Sequence, residues 1–307
     1  MSMNLVLQQI LVIFCYVAVG VDAGKLGIID PDQRKFLTKL CSSLILPFTI
    51  LSAASMEIGA EGFRSLGMAM AVSFLVIGGT MAGSLLLFRA FHAEDKFRAA
   101  MTSLLAFPNA TFLGLPLCRA LFGEIAVLYN CAALIAFNVL FFTVQLPLFT
   151  GGKINLKAIL TVPTLATFAL LAMLALGIHW PAPVQTVVSS IGSMITPLSL
   201  IIIGVMLSEN DLLAIFREKA VYLVMALRNF LIPALTMLVL MAVPMDSQDK
   251  LCVLVYLSCP CATLTTIYSI QTDTHPELCA RSVLFSTISF AVSLPVVIAA
   301  GQFLFKL

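Results

Sequence analysis

The stretches Phe107-Pro108-Asn109-Ala110-Thr111 and Cys259-Pro260-Cys261-Ala262-Thr263 each place a proline near the middle of a long apolar run. Proline lacks a backbone donor and its ring collides with the carbonyl four residues earlier, so both runs are expected to leave the helix there. Lipid offers no water to satisfy the freed groups, and such a break therefore belongs inside protein or against a water-filled cavity. Beyond each proline a second half-helix begins, with free N–H groups and a positive dipole end directed at the membrane midplane. Two such ends together attract an anion.

Working outward, further prolines recur in register. Leu46-Pro47-Phe48 is answered by Thr196-Pro197-Leu198, and Leu146-Pro147-Leu148 by Leu294-Pro295-Val296. The intervals between the three prolines are 61 and 39 residues in the first half and 63 and 35 in the second. Arg64 and Arg217, each closing an acidic loop (Glu57 and Glu61; Glu209 and Asp211), add a weaker match. Five membrane segments per half is an odd number, so the second half must enter the membrane inverted, the plan common among secondary transporters. The fold expected is all-α and integral to the membrane, with ten transmembrane helices in two inverted five-helix repeats, residues 1–150 and 151–307. Helices four and nine are expected to be broken at proline.

Composition agrees with lipid as the solvent. Of 307 residues, 61% are hydrophobic and 10% charged, whereas a soluble chain carries about 25% charged residues. Apolar runs near 5–22, 36–55, 66–89, 97–121, 125–149, 155–178, 184–207, 220–243, 250–271 and 279–305 approach the roughly 20 residues needed to cross a bilayer. Positive loops stay cytoplasmic. With the N-terminus outside, twelve basic residues (Lys25, Arg34, Lys35, Lys39, Arg89, Lys96, Arg98, Lys153, Lys157, Arg217, Lys219 and Arg281) fall on the inner side. Four (Arg64, Arg119, Lys250 and Lys306) fall on the outer side. The expectation is a multi-pass plasma-membrane protein with both termini outward. The first run lacks a positively charged n-region and is needed as a repeat partner, so it is read as a helix rather than a cleaved signal.

The net charge of +2 is too small to imply nucleic acid. The eight cysteines lie in or beside apolar runs and read as small packing residues rather than metal ligands. His92, His179 and His275 fall in loops or at run edges, and no H-E-x-x-H or G-x-S-x-G occurs, so no enzyme chemistry is expected.

Polar residues cluster at the breaks. Pro108, Asn109, Thr111 and Gly114 in the first, with Pro260, Cys261, Thr263 and Thr265 in the second, are the candidate substrate-binding residues. An amide and hydroxyls bind a carboxylate without a fixed charge, and glycine permits close approach. The competing reading is that the hydroxyls bond back to their own helices. Arg228 is the one basic residue well inside a run, nine residues past Lys219. Such a group either has a functional charge role or snorkels to the interface. Asp22 and Glu57 are weak candidates for a proton-coupling carboxylate, and carbonyls and hydroxyls at the breaks offer sodium an alternative site, so H+ coupling, Na+ coupling and uniport all stay open. No resident cofactor and no metal are expected. The function read is secondary transport of a small organic anion, a mono- or dicarboxylate, by alternating access. The alternatives are a sodium-coupled organic-acid symporter and a ligand sensor or channel of the same fold.

A series of motifs runs in order along nearly the whole chain: Gly20 through Lys25 to Gly27-Ile28-Ile29-Asp30, Leu37-Thr38-Lys39-Leu40 with Leu46-Pro47, and Asn109-Ala110-Thr111-Phe112-Leu113-Gly114-Leu115-Pro116. Pro197 with Gly204, Arg228 followed by Pro233, Pro260 with Tyr268, and Val283 through Ser289 to Pro295 complete it. In this order the motifs resemble those of the auxin efflux carrier family of permeases, including its bacterial malonate-type branch. The resemblance implies a fold like that of the bile acid sodium symporters, with substrate at the crossing of helices four and nine. Helices one, two, six and seven would form a scaffold and a homodimer interface, and three to five with eight to ten a mobile transport domain. It also implies that Pro108, Asn109, Pro260 and Cys261 are the crossing residues. Two departures bear on the pocket: the family often has glycine where Thr111 stands, and the second break reads Cys-Pro-Cys.

Overall fold

The structure is a computed structural model that describes all residues except 1, 2, 153, 155, 210–214, 216 and 217. Lys153, Asp211 and Arg217, which entered the charge and loop readings above, lie outside the described residues. Among those described, the chain is helical throughout and its single β feature is an isolated bridge between Pro108 and Cys261.

Seven of the described helices are long and apolar enough to cross a membrane: Val6–Lys25, Pro31–Ser55, Ala60–Ala90, Ile125–Thr150, Ala182–Ser208, Lys219–Met241 and Pro276–Phe305. The three other expected spans take a different form. The fourth is divided into Asp95–Ala106 and, after a π turn over Ala110–Gly114, Leu115–Phe122. The ninth is divided into Ser247–Leu257 and Thr263–Thr272. The sixth holds a 15-residue helix, Val162–Leu176, about 22 Å long at 1.5 Å per residue.

Prolines shape the helices in a repeated way. Five-residue π turns at Cys41–Ile45, Ala110–Gly114, Phe141–Gln145 and Leu227–Leu231 each end two residues before a proline, namely Pro47, Pro116, Pro147 and Pro233. The carbonyl that each proline ring would strike lies inside the preceding turn, and widening that turn relieves the collision without ending the helix. Pro295 differs, since it sits within the continuous helix Pro276–Phe305.

The chain forms two compact units. The first comprises Met1–Leu66, Thr111–Cys131 and Leu160–Asp211. Its tightest packing joins the helix Met3–Lys25 to Ile195–Ser208. Gly20 lies against the Ile201 carbonyl and Gly204 against the Val17 carbonyl, with no room for a β-carbon at either, and Gly24 faces the Ser208 hydroxyl. Lipid chains are as apolar as leucine, so close backbone approach is what holds such helices together. Gly192 similarly abuts Thr49, whose hydroxyl donates to the Gly192 carbonyl at 2.8 Å. Trp180 and Gln185 donate to the carbonyls of Leu51 and Ser52, at 3.0 and 2.9 Å.

At one edge of this unit Arg34 pairs with Glu209 at 2.8 Å, both side chains being about a fifth exposed (21% and 23%). A pair at the rim of the fold that solvent still reaches contributes about 1 kcal/mol or less. Arg34→Ala should therefore leave the melting temperature nearly unchanged, which thermal unfolding of the purified protein in detergent would check.

The second unit comprises Gly67–Ala110, Ala132–Ile159 and Leu212–Leu307. Both breaks lie in it. Ion pairs tie its helix ends: Arg281 to Glu218 at 2.9 Å and Lys96 to Asp273 at 3.4 Å. Gln145 reaches the Ala99 carbonyl at 2.9 Å from a buried position.

Candidate functional site

The helix Asp95–Ala106 ends because Phe107 turns extended ahead of Pro108, at φ −102° and ψ 114°, the conformation a following proline favours. Ser247–Leu257 ends differently: Ser258 keeps a helical conformation, at φ −86° and ψ −5°, and the chain leaves the helix only over Cys259 and Pro260. The extended residues pair across the two breaks. Asn109 N–H donates to the Pro260 carbonyl at 2.7 Å, and Ala262 N–H to the Phe107 carbonyl at 2.9 Å. This two-bond antiparallel bridge satisfies donors and acceptors that neither helix could satisfy alone. An unmet buried group of this kind costs about 1–3 kcal/mol.

Three further carbonyls at the two helix ends go to one side chain. Arg228 is 1% exposed. Its Nε donates to the Cys259 carbonyl at 2.9 Å, one terminal nitrogen to the Leu105 carbonyl at 2.8 Å, and the other to the Leu257 and Cys259 carbonyls at 2.8 and 2.7 Å. The guanidinium thus clamps the C-terminal ends of Asp95–Ala106 and Ser247–Leu257 instead of reaching for the membrane surface. It sits on the π turn Leu227–Leu231, where Arg228 and its neighbour Asn229 are both buried.

Asn229 extends the network. It donates to the Ser286 carbonyl at 3.0 Å and the Ser289 hydroxyl at 2.7 Å, while the Ser286 hydroxyl accepts from Cys261 N–H at 3.1 Å.

On the bridge itself, Asn109 Nδ2 donates to the Thr263 hydroxyl at 3.2 Å, and the Ser103 and Thr265 hydroxyls bond at 2.8 Å. Thr265 and Cys261 are fully buried and Asn109 is 5% exposed, whereas Thr263 is half-buried. The helix Thr263–Thr272 starts at Ala262 with no side-chain cap, although Thr265 N–H turns back to the Ala262 carbonyl at 3.1 Å, and its positive dipole end lies beside the bridge. Beside the break, Phe107 packs edge-on against Phe137 and Phe141, both at 5.0 Å, and Tyr268 lies 5.4 Å from Phe141. An amide, a hydroxyl, an uncapped helix start and an aromatic wall together suit a small, partly apolar anion.

Of the candidate residues, Pro108, Asn109, Pro260, Cys261, Thr263 and Thr265 meet at this bridge. Thr111 and Gly114 belong to the first unit, on the π turn Ala110–Gly114. Asp22 and Glu57 are exposed residues of that unit as well. All eight cysteines are free, and seven are buried. The sequence reading missed Asn229, Ser286 and the phenylalanines. Asn229 was open to detection, being a second polar residue beside Arg228 inside an apolar run.

Seven apolar spanning helices and a buried polar site built on two interrupted ones define a multi-pass membrane protein of the transporter class. The chain belongs to the auxin efflux carrier family: the family described as "Membrane transport protein" matches residues 5–151 and 145–298. It is a family of transporters and not of enzymes. No curated protein matches the chain.

Proposed function

We propose that the protein is a secondary transporter moving a small organic anion, a mono- or dicarboxylate, by alternating access. The observation that carries this is the pair of bridged breaks, with the Asn109 amide, the half-buried Thr263 hydroxyl and the uncapped start of Thr263–Thr272 side by side. A carboxylate there gains hydrogen bonds and a favourable dipole without meeting a fixed acid.

The proposal includes ten membrane segments in two inverted repeats, 1–150 and 151–307, counting the two divided helices and Val162–Leu176 as one segment each. The scaffold would be the first, second, sixth and seventh segments, which fall in one compact unit together with Thr111–Cys131. The other segments, with both breaks, would move as the transport domain and carry the substrate. The proposed orientation, with both termini outward in the plasma membrane, rests on the positive-inside count; the pairs Arg34–Glu209, Arg281–Glu218 and Lys96–Asp273 agree with the grouping of ends which that count uses. Each joins ends that the positive-inside count puts on the same side. A homodimer through the scaffold completes the proposal.

The test is flux into proteoliposomes. Saturable uptake of a labelled carboxylate such as malonate, accelerated by unlabelled malonate inside, is the expected result. Non-saturating flux without counterflow would indicate a channel, and tight binding without flux a sensor.

A further inference from the structure

Arg228 does more than fill a space between helices. The C-terminal ends of Asp95–Ala106 and Ser247–Leu257 each carry about half a negative charge, and together they amount to about one. Four hydrogen bonds from one guanidinium meet the three carbonyls, of Leu105, Leu257 and Cys259, at those ends. Unwound carbonyls beside broken helices are the groups with which membrane carriers coordinate an alkali cation. Here those oxygens already face a cation that is covalently part of the chain.

We propose that Arg228 is the resident cation of this site: it takes the place of a co-bound sodium ion in the carbonyl cage and leaves the uncapped helix start at Thr263 free to set a positive potential for the anion. The inference deepens the transport reading and rests on it for the nature of the ligand. Arg228 acts as a positioning residue, because it touches the backbone of the breaks and not the anion. Two consequences follow. Anion binding needs no sodium in the native protein. Without the guanidinium, two negative helix ends face the midplane, and anion binding then comes to depend on a small cation that enters the cage.

The experiment measures malonate affinity, by thermal shift and by KM for counterflow, in sodium, potassium or choline chloride. The wild-type protein should give the same affinity within about twofold in all three salts. In Arg228→Gln, malonate affinity in choline should fall by about tenfold or more and recover on adding sodium or a low concentration of guanidinium. Arg228→Lys, which keeps the charge but not the fork, should lie between the two.

An arginine that was merely structural would lower the melting temperature in both variants and leave malonate affinity indifferent to the cation; that result would overturn the proposal. So would a tenfold sodium requirement in the wild type. Should Arg228→Gln fail to fold, the wild-type salt series and Arg228→Lys decide. A wild type that binds no carboxylate refutes the transport reading alone. The melting temperature of Arg228→Gln then tests the cage: a rise on adding guanidinium or sodium supports it, and no response refutes it.

Discussion

Replacing Gly204 with leucine should remove folded protein from the membrane fraction. A β-carbon at this position would collide with the Val17 carbonyl and come within 2.8 Å of the Gly20 Cα and the Val21 nitrogen. These neighbours are backbone atoms of Met3–Lys25, so nothing flexible yields and the two helices must separate. Overpacking that side chains can absorb costs about 1–3 kcal/mol, and a collision between backbones exceeds that range. Against a total stability of about 5–15 kcal/mol, the loss of this helix pair would be decisive. Size-exclusion chromatography of the detergent extract would show aggregate or no peak. A monodisperse peak with unchanged melting temperature would refute the packing argument. Gly301→Leu is the matched control, because its nearest neighbours are the side-chain ends of Leu251 and Leu254, which can move.

Asn109→Ala should nearly abolish carboxylate transport while sparing the fold. The bond that holds the break together uses the Asn109 backbone N–H, at 2.7 Å from the Pro260 carbonyl, and alanine keeps it. What disappears is the amide. Its hydrogen bond to Thr263 at 3.2 Å is long and neutral, so little stability goes with it. A hydrogen bond to a charged ligand contributes about 1.5–3 kcal/mol, which corresponds to a loss of affinity of roughly tenfold to a hundredfold. The variant should therefore melt close to wild type and show a strongly raised KM for malonate. Equal loss of melting temperature and uptake would recast Asn109 as a structural residue.

The breaks were legible in the sequence because proline leaves a mark that lipid-facing composition does not mask. Pro108 and Pro260 lie where the backbone departs from the helix, and the polar residues beside them gather at one bridge. The partners of Arg228 were not legible. They are backbone carbonyls, which every residue possesses, so no side-chain pattern announces them. Only the cost of burying a charge hinted that something must receive it.

The count of spanning helices was legible by composition but not by continuity. Length and hydropathy identify seven, while two of the remaining segments are interrupted by the same prolines that make them interesting. The glycine contact between the first unit's helices carried a readable signal that went unused. Gly20 and Gly24 are spaced four apart, and Gly204 and Ser208 repeat that spacing, the pattern of close helix pairs in membranes.

The bridge between the breaks also constrains how the protein is made. Asn109 emerges from the ribosome about 150 residues before Ala262, and at 5–20 residues per second that interval lasts roughly 8–30 s. Throughout it, the open backbone at Phe107–Asn109 has no strand to pair with, and for about the first 120 residues of it Arg228 is not yet made to quench the Leu105 carbonyl. A nascent chain in that condition is poorly suited to free lipid. Burial of that polar backbone therefore waits on synthesis of the second half.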